Sequence, residues 1–332
     1  MCFPSLIFSP MSCPMPQPLP HPLKIAVTPW SLSPAGLASD LTSQAVIAEQ
    51  LGFHSFWLPE NHFGDSRSIP SPLMLLAAVA ACTSRIKLGS TSYLLPIRHP
   101  LQAAEEVAVL DRLSGGRVIL GVGRGTQQGM FDAYAVDSRD KRNRFKANLD
   151  IMLRAWRGEP LNKDTGHSDT DAEPIVLAPL PVQQPHPPIW VAAFGPLALK
   201  QAGSLGLPYL ASPIETLDTL CANYARHQHF VGEAGHPKVP TIPIMRTVFI
   251  SDKPSECEQV KTAMENAGQH NMREAEAGID SWTIIGDGTY VRDQLAEYRA
   301  RLGLTHLIVR GRVAGMAADT WVASLEKLTV LI

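Results

Sequence analysis

Short apolar runs alternate with longer amphipathic segments along most of the chain. The first run, residues 23–28, precedes residues 37–51, in which leucine and alanine recur at steps of four and three, the spacing of a helix with one buried face. The same alternation continues toward the last residues. It predicts strands at residues 23–28, 54–58, 86–91, 117–122, 189–193, 208–211, 241–250 and 306–310.

Most of the predicted strands lack alternating polar residues, which is typical of a parallel sheet covered by helices on both faces. Eight strand–helix units favour an α/β fold that closes into a (β/α)8 TIM barrel. A doubly wound open sheet is the alternative that the pattern leaves open. Irregular stretches at about 158–188 and 271–285 predict insertions after strands 4 and 7.

The first residues differ from the rest of the chain. Proline recurs every few positions in residues 1–22, which excludes a helix or an interior strand. The first lysine is Lys24, so this segment lacks the basic start of a signal peptide. We therefore expect a disordered N-terminal tail over residues 1–22 and a barrel domain over residues 23–332.

The composition excludes several classes of protein. Of the 332 residues, 45% are hydrophobic and 18% are charged, which supports a large core and excludes global disorder. The formal net charge of −2 gives no basis for binding nucleic acid or an anionic membrane, and no apolar run approaches the roughly 18 residues of a membrane span. Five scattered cysteines without a C-x-x-C pair disfavour zinc and disulfide frameworks. These features predict a cytoplasmic protein that acts on a small molecule.

In such a barrel, active-site groups gather at the carboxyl ends of the strands. After strand 2 come Glu60, Asn61 and His62, whose side chains can transfer protons or orient a ligand; a capping cluster for the next loop is the other interpretation. After strand 3, the small residues 89–92 allow a flat ligand to approach the backbone, or serve ordinary tight packing.

Two further strand ends suggest an anion site. Residues 121–125 read Gly-Val-Gly-Arg-Gly; this is not the spacing of a dinucleotide fingerprint, but Arg124 and exposed backbone N–H groups suit a phosphate. Pro196 begins a helix after strand 5, and the N-terminus of that helix also suits an anion. The chain has no G-x-x-x-x-G-K-[ST] motif, no G-x-S-x-G elbow and no set of side chains with metal-ligand spacing.

Taken in order, these motifs resemble the bacterial luciferase-like flavin monooxygenase family. The matching stretches are PENHF at 59–63, LLPIRHPLQAAEEVAVLDRLSGGR at 94–117, GVGRG at 121–125 and PPIWVAAFGPLALKQAGSLGLP at 187–208. The resemblance covers most of residues 23–310. It implies a (β/α)8 barrel, FMN bound at the carboxyl ends of the strands and, frequently, a dimer.

The resemblance also assigns residues to the flavin. Glu60 would lie beside the ring system, and the Thr91–Ser92 peptide would be the non-proline cis peptide that supports it. Arg124 would hold the phosphate, together with backbone groups of Phe194 and Gly195.

The chain departs from the family pattern at two of these positions. Asn61 stands where luciferase-type members commonly carry a catalytic histidine, and Ala198 stands where a threonine hydroxyl assists phosphate binding. An asparagine cannot exchange a proton near neutral pH, although it can form hydrogen bonds. Residues 271–285 match the region in which family members carry a mobile lid.

The activity that the resemblance implies is flavin-dependent oxygenation. Reduced FMN would react with O2 at its C4a carbon, and the resulting peroxyflavin would oxygenate a small organic substrate. His62 is the expected acid–base residue, supported by Glu60, while Asn61 would hold an oxygen atom by hydrogen bonding. The candidate anchors for an anionic substrate are Arg98, Arg246 and Arg310.

The same resemblance suggests partners and leaves two alternatives. No nicotinamide fingerprint occurs, so reduced flavin would come from a separate flavin reductase. A homodimer is expected, with the helices at 72–82 and 101–113 as its interface. One alternative is an F420-dependent oxidoreductase of the same fold, which transfers hydride without O2. The other is a non-catalytic flavin-binding partner subunit. Such a subunit would explain why Asn61 stands in place of the catalytic histidine.

Overall fold

The computed structural model describes residues 22–33, 37–162, 173–193, 195–268, 277–311 and 316–331. The predicted tail, apart from its last residue, and Phe194 lie outside these ranges. The strands are β1 (Lys24–Val27), β2 (Ser55–Leu58), β3 (Lys87–Ser90), β4 (Tyr93–Leu94), β5 (Val118–Gly123), β6 (Ile189–Ala192), β7 (Tyr209–Leu210), β8 (Pro243–Ile250), β9 (Thr283–Gly286) and β10 (His306–Val309).

The helices follow the strands in the order expected of a barrel. They are α1 (Leu37–Gln50), α2 (Pro72–Cys82), α3 (Pro100–Leu113), α4 (Gln128–Ala133), α5 (Lys141–Trp156), α6 (Pro196–Ser204), α7 (Leu217–Glu233), α8 (Pro254–Gly268), α9 (Gly288–Leu302) and α10 (Ala318–Leu331). Within the described ranges, no helix combines the length and the apolar character needed to cross a lipid bilayer.

All paired strands run parallel, in the order β7-β6-β5-β3-β2-β1-β10-β8-β9, with β4 beside β5. This curled parallel sheet with helices outside it confirms the predicted (β/α)8 barrel class. The strands β4 and β9 were not predicted. The first has only two residues, and the second lies in a stretch that was expected to be irregular.

Side chains, rather than backbone pairing, join β7 to β8 among the described residues. The Tyr224 hydroxyl of α7 lies 3.0 Å from the carbonyl oxygen of Tyr209 and also contacts that of Pro243. The buried Arg246 guanidinium of β8 donates to the carbonyl oxygen of Ser212, at 3.4 Å, just beyond β7. These contacts link β7, at one end of the strand order, to β8, and so close the curled sheet.

The barrel interior is a packed core. Trp57 of β2 stacks on Trp190 of β6 with ring centroids 4.8 Å apart. Gly89 of β3 leaves room for this pair, because a Cβ there would lie 2.1 Å from the Trp57 ring. Leu210 and Met245 belong to the same interior cluster and also line a cavity. The interior therefore forms the floor of the site at the carboxyl ends of the strands.

The two predicted insertions differ in regularity. Residues 158–162 and 173–188, the described parts of the first, contain no helix or strand. In the second, residues 271–276 lie outside the described ranges, but a 3-10 turn at Ile279–Ser281 and β9 follow. The expectation of a loop was wrong over 279–285, because the apolar residues there are buried and β9 pairs with the second half of β8.

Candidate active site

A cavity of about 580 Å3 opens at the carboxyl ends of the strands. All the predicted catalytic and flavin-binding residues line it except Gly195, which caps α6, and Phe194, which is outside the described residues. The three arginines predicted as substrate anchors are not among its lining residues. Its polar lining includes Glu60, Asn61, His62, Thr91, Ser92 and Arg124. Its apolar lining comprises Leu94, Met130, Ala192, Ala193, Leu210, Ala211, Ile214 and Met245. The structure thus brings the ends of β2, β3 and β5 together around one space.

Glu60 is a buried carboxylate with a full set of donors. Its side chain is 0% exposed. Oε1 accepts from Nη1 of Arg98 and Nε2 of His62, each at 2.7 Å, and Oε2 accepts from the Leu94 backbone N–H at 3.0 Å. The Arg98 guanidinium also lies 3.9 Å from the centre of the Tyr93 ring. Glu60 therefore orients His62 and anchors β4.

Both ring nitrogens of His62 have partners. Nε2 faces Glu60, and Nδ1 lies 3.2 Å from the hydroxyl of Tyr134, which follows α4 directly. A carboxylate can only accept, so neutral His62 carries its proton on Nε2 and its Nδ1 accepts from the Tyr134 hydroxyl. Glu60, His62 and Tyr134 thus form a continuous line of hydrogen bonds that fixes the tautomer of neutral His62.

Asn61 is fixed by the backbone of Ile69. Its N–H donates to the Ile69 carbonyl oxygen at 3.1 Å, and its Oδ1 accepts from the Ile69 N–H at 2.9 Å. The side-chain NH2 group forms no hydrogen bond within the described part of the chain. Asn61 can therefore donate to a ligand oxygen in the cavity, but it cannot carry a proton in an acid–base step.

Arg124 is a half-buried cation without an ion pair among the described residues. Burial, and then the nearby charge of Arg142, lower the pKa of Arg124 below its ordinary value. An anion would offset both effects. Because β5 and β6 are neighbours, Arg124 and the start of α6 lie at adjacent strand ends. Gly195 caps α6 with φ 84°, a left-handed conformation that favours glycine.

The Thr91–Ser92 peptide is cis, the conformation that the resemblance implies. Gly123 of β5 lies directly against the Ser92 side chain, because a Cβ there would come within 2.0 Å of Ser92 Oγ. Gly121 likewise makes room for the carbonyl oxygen of Ser90. These two glycines therefore serve the close packing of β5 against β3 and β4, a role that their interpretation as an anion-binding loop did not predict.

The three arginines predicted as substrate anchors lie in different environments. Arg98 is held by Glu60. Arg246 is fully buried and donates to backbone carbonyl oxygens at the β7–β8 junction, so it is not available to a substrate. Arg310 follows β10, and its guanidinium has no hydrogen-bond partner among the described residues. Burial, and then the charge of Arg246, lower the pKa of Arg310, so Arg310 stays a candidate.

A family model described as luciferase-like monooxygenase matches residues 23–306. The chain belongs to the luciferase-like monooxygenase family. The match spans β1 to the first residue of β10 and includes the strand ends that line the cavity. It confirms the resemblance that the motifs indicate.

Relatives in the family match parts of the chain. A Sinorhizobium fredii protein, y4wF, is 35% identical over 51% of this chain and 48% of its own length. The oxygenase component of the flavin-dependent trigonelline monooxygenase of Acinetobacter baylyi is 25% identical over 73% of this chain and 69% of its own length. The chain thus spans about half the length of y4wF and about two thirds of the Acinetobacter protein.

Solved structures show the same fold over nearly the whole chain. The oxygenating constituent of 3,6-diketocamphane monooxygenase from Pseudomonas putida, in complex with FMN, has a TM-score of 0.79 at 20% identity and covers 92% of this chain and 97% of its own. The coenzyme F420-dependent tetrahydromethanopterin reductase of Methanopyrus kandleri has a TM-score of 0.65 at 20% identity and covers 92% and 96%. Both support the barrel architecture.

Sequence reasoning missed part of the site. Tyr134 is 72 residues from His62 in the chain, and no local spacing joins them. The lining at the end of β7, residues 210–214, was also not assigned to the site, although the sequence predicted a strand there. A strand predicted next to β6 would end at the same edge of the sheet, and this could have indicated that residues 210–214 line the cavity.

Proposed function

We propose that this family member is an FMN-dependent monooxygenase that uses reduced flavin and O2 to oxygenate a small organic substrate. The observation that supports this most directly is an Arg124 guanidinium without an ion pair among the described residues, in the same cavity as the Glu60–His62 pair and the amide of Asn61. The Pseudomonas putida structure of the same fold contains FMN, and the Acinetobacter baylyi relative is named flavin-dependent.

The residues present fit this cofactor. The cavity volume of about 580 Å3 lies within the roughly 300–1,000 Å3 of small-molecule and cofactor sites. Its apolar lining suits a flat ring system, and Arg124 suits a phosphate. Because β5 and β6 are neighbours, Arg124 and the positive end of the α6 dipole lie at adjacent strand ends.

When bound, reduced FMN supplies the electrons and the reaction with O2. Arg124 and the start of α6 would hold its phosphate, and the apolar lining would exclude water from the reacting atoms. Asn61 would donate a hydrogen bond from its NH2 group to a ligand oxygen. His62, with Nε2 fixed by Glu60, would accept or return a proton at Nδ1, where its partner is the Tyr134 hydroxyl.

We also propose a separate flavin reductase and a homodimer in the cytoplasm. The Acinetobacter baylyi relative is named as an oxygenase component, which supports a reductase on another chain. The helix α2 is apolar on its exposed as well as its buried side, with Met74 75% exposed, which supports a subunit interface at α2 and the neighbouring α3. Within the described ranges, Cys82, Cys221 and Cys257 form no disulfide, which is compatible with a reducing compartment.

Titration with FMN and with riboflavin, followed by fluorescence, tests the cofactor assignment. The Arg124→Gln variant should bind FMN about 10- to 100-fold more weakly, since a hydrogen bond to a charged group contributes about 1.5–3 kcal/mol. Its riboflavin affinity should not change, because riboflavin lacks the phosphate. The control Arg142→Gln removes a neighbouring cation outside the cavity lining and should weaken FMN binding less.

Two outcomes of this titration would overturn the assignment. One is an unchanged FMN affinity of Arg124→Gln. The other is tight binding of F420 by the wild-type protein with no binding of FMN, which would favour the F420-dependent alternative.

A further inference from the structure

A second cavity of about 540 Å3 lies behind the candidate active site. It shares no lining residue with the first cavity and is formed by the segment 97–100, the segment 134–136 and one side of α5. Tyr134, which is 41% exposed, lines this second cavity. His62, with a side chain only 3% exposed, lines the first.

Two hydrogen bonds cross the wall between the cavities. In one, Arg98 on the side of the second cavity donates to Glu60 on the side of the first, at 2.7 Å. In the other, the Tyr134 hydroxyl contacts Nδ1 of His62 at 3.2 Å. The wall is therefore bridged by one guanidinium and one phenol.

Only one of these crossings can pass a proton. Burial lowers the pKa of Arg98, but the interactions with Tyr93 and Glu60 outweigh it and raise that pKa above its ordinary value, so the guanidinium stays charged. A phenol hydroxyl can donate and accept at the same oxygen. The Nε2 of His62 is occupied by Glu60, whose carboxylate has no free side toward solvent. Nδ1 and Tyr134 are the remaining route.

We propose that Tyr134 is the residue through which His62 exchanges protons with solvent, by way of the second cavity. The hydroxyl proton moves to Nδ1 while a hydronium ion in the second cavity protonates the Tyr134 oxygen and becomes water. His62 then is an imidazolium that faces the Glu60 carboxylate and the Tyr134 oxygen, with Arg98 beyond Glu60. The reverse transfer releases the proton.

The use of this route rests on the proposed function. A flavin and a substrate in the first cavity would separate His62 from solvent on that side. His62 could still exchange protons with solvent through Tyr134 during turnover. Tyr134 is thus a positioning and relay residue that lies outside the flavin cavity.

The test uses flavin-free protein labelled with 15N-histidine, so it does not depend on the proposed function. NMR follows the Nδ1 resonance of His62, assigned with His62→Gln, as the pH is lowered, and its line shape gives the rate of protonation. Tyr134→Phe keeps the ring over Nδ1 but removes the hydroxyl. We expect its protonation rate to fall about a hundredfold, the lower end of the effect of a positioned acid–base group.

Tyr93→Phe is the matched control, because its hydroxyl contacts Glu106 at 2.7 Å rather than His62; its protonation rate should equal that of the wild type. An unchanged or faster rate in Tyr134→Phe would overturn the proposal, since it would show that Tyr134 only covers the ring. The other histidine resonances report whether the variant is folded. If it is not, the wild-type rate in D2O decides: a relay predicts a larger solvent isotope effect at His62 than at the exposed His229, and equal effects contradict it.

Discussion

At the scale of single residues, the Arg98 cation stabilises the folded protein because it is the charged partner of the buried Glu60 carboxylate. Arg98→Met leaves the Glu60 carboxylate, whose side chain is 0% exposed, without its charged partner. Breaking a buried pair in this way costs about 3–5 kcal/mol of the free energy of unfolding. Urea denaturation followed by circular dichroism measures this loss.

The matched control is Arg67→Met, because Arg67 pairs with Asp65 on the surface, where their side chains are 41% and 54% exposed. Exposed ion pairs contribute about 0–1 kcal/mol, so this variant should be nearly as stable as the wild type. Equal losses in the two variants would show that Glu60 does not depend on Arg98.

At the scale of elements, the sequence predicted most of the helices and strands but not all of their relations. The starts of α2 and α6 agree with the prediction because proline at the first helical position marks a start. The strand β9 was missed because a polar stretch precedes it. The pairing of Glu60 with Arg98 joins residues 38 positions apart, and such contacts follow from the folded arrangement rather than from local spacing. The candidate residues were therefore predictable as strand ends, whereas their partners were not.

The exposed apolar side of α2 predicts where two subunits meet in a homodimer. If it forms the subunit interface, Met74→Glu places a charge in an apolar contact and should shift the molecular mass in light scattering from dimer toward monomer. Val330→Glu on α10 is the control, because Val330 is 89% exposed and lies on a different helix. Dimers of unchanged stability in Met74→Glu would place the interface elsewhere.

At the scale of the whole molecule, basic residues at the amino ends of the strands make stability depend on pH. His54 and His306 are in ring contact, with centroids 5.4 Å apart. Burial, and then the charges of Lys24 and Lys87, lower the pKa of His54 to about 4. Burial, and then His54 and Lys24, lower the pKa of His306 to about 3.

An unfolded chain takes up these protons near the ordinary pKa of 6.5, so between that pH and about pH 3 the unfolded state binds more protons than the folded state. Above the ordinary pKa both histidines are neutral in both states and do not lower the stability of the folded state. The free energy of unfolding therefore falls as the pH drops through this window. His54→Gln should reduce that fall, measured by urea denaturation at about pH 7 and about pH 5. His229→Gln, at a position 66% exposed, is the control and should leave it unchanged; the same slope in His54→Gln would contradict the assignment.

The central claim concerns what the cavity does to a reduced flavin. The most direct measurement loads the protein with reduced FMN under anaerobic conditions, mixes it with oxygenated buffer and follows absorbance by stopped flow. We expect a transient spectrum, distinct from those of reduced and oxidised FMN, that outlasts the reaction of free flavin because the cavity excludes water. Oxidation at the rate of free flavin, or no binding of FMN, would contradict the claim.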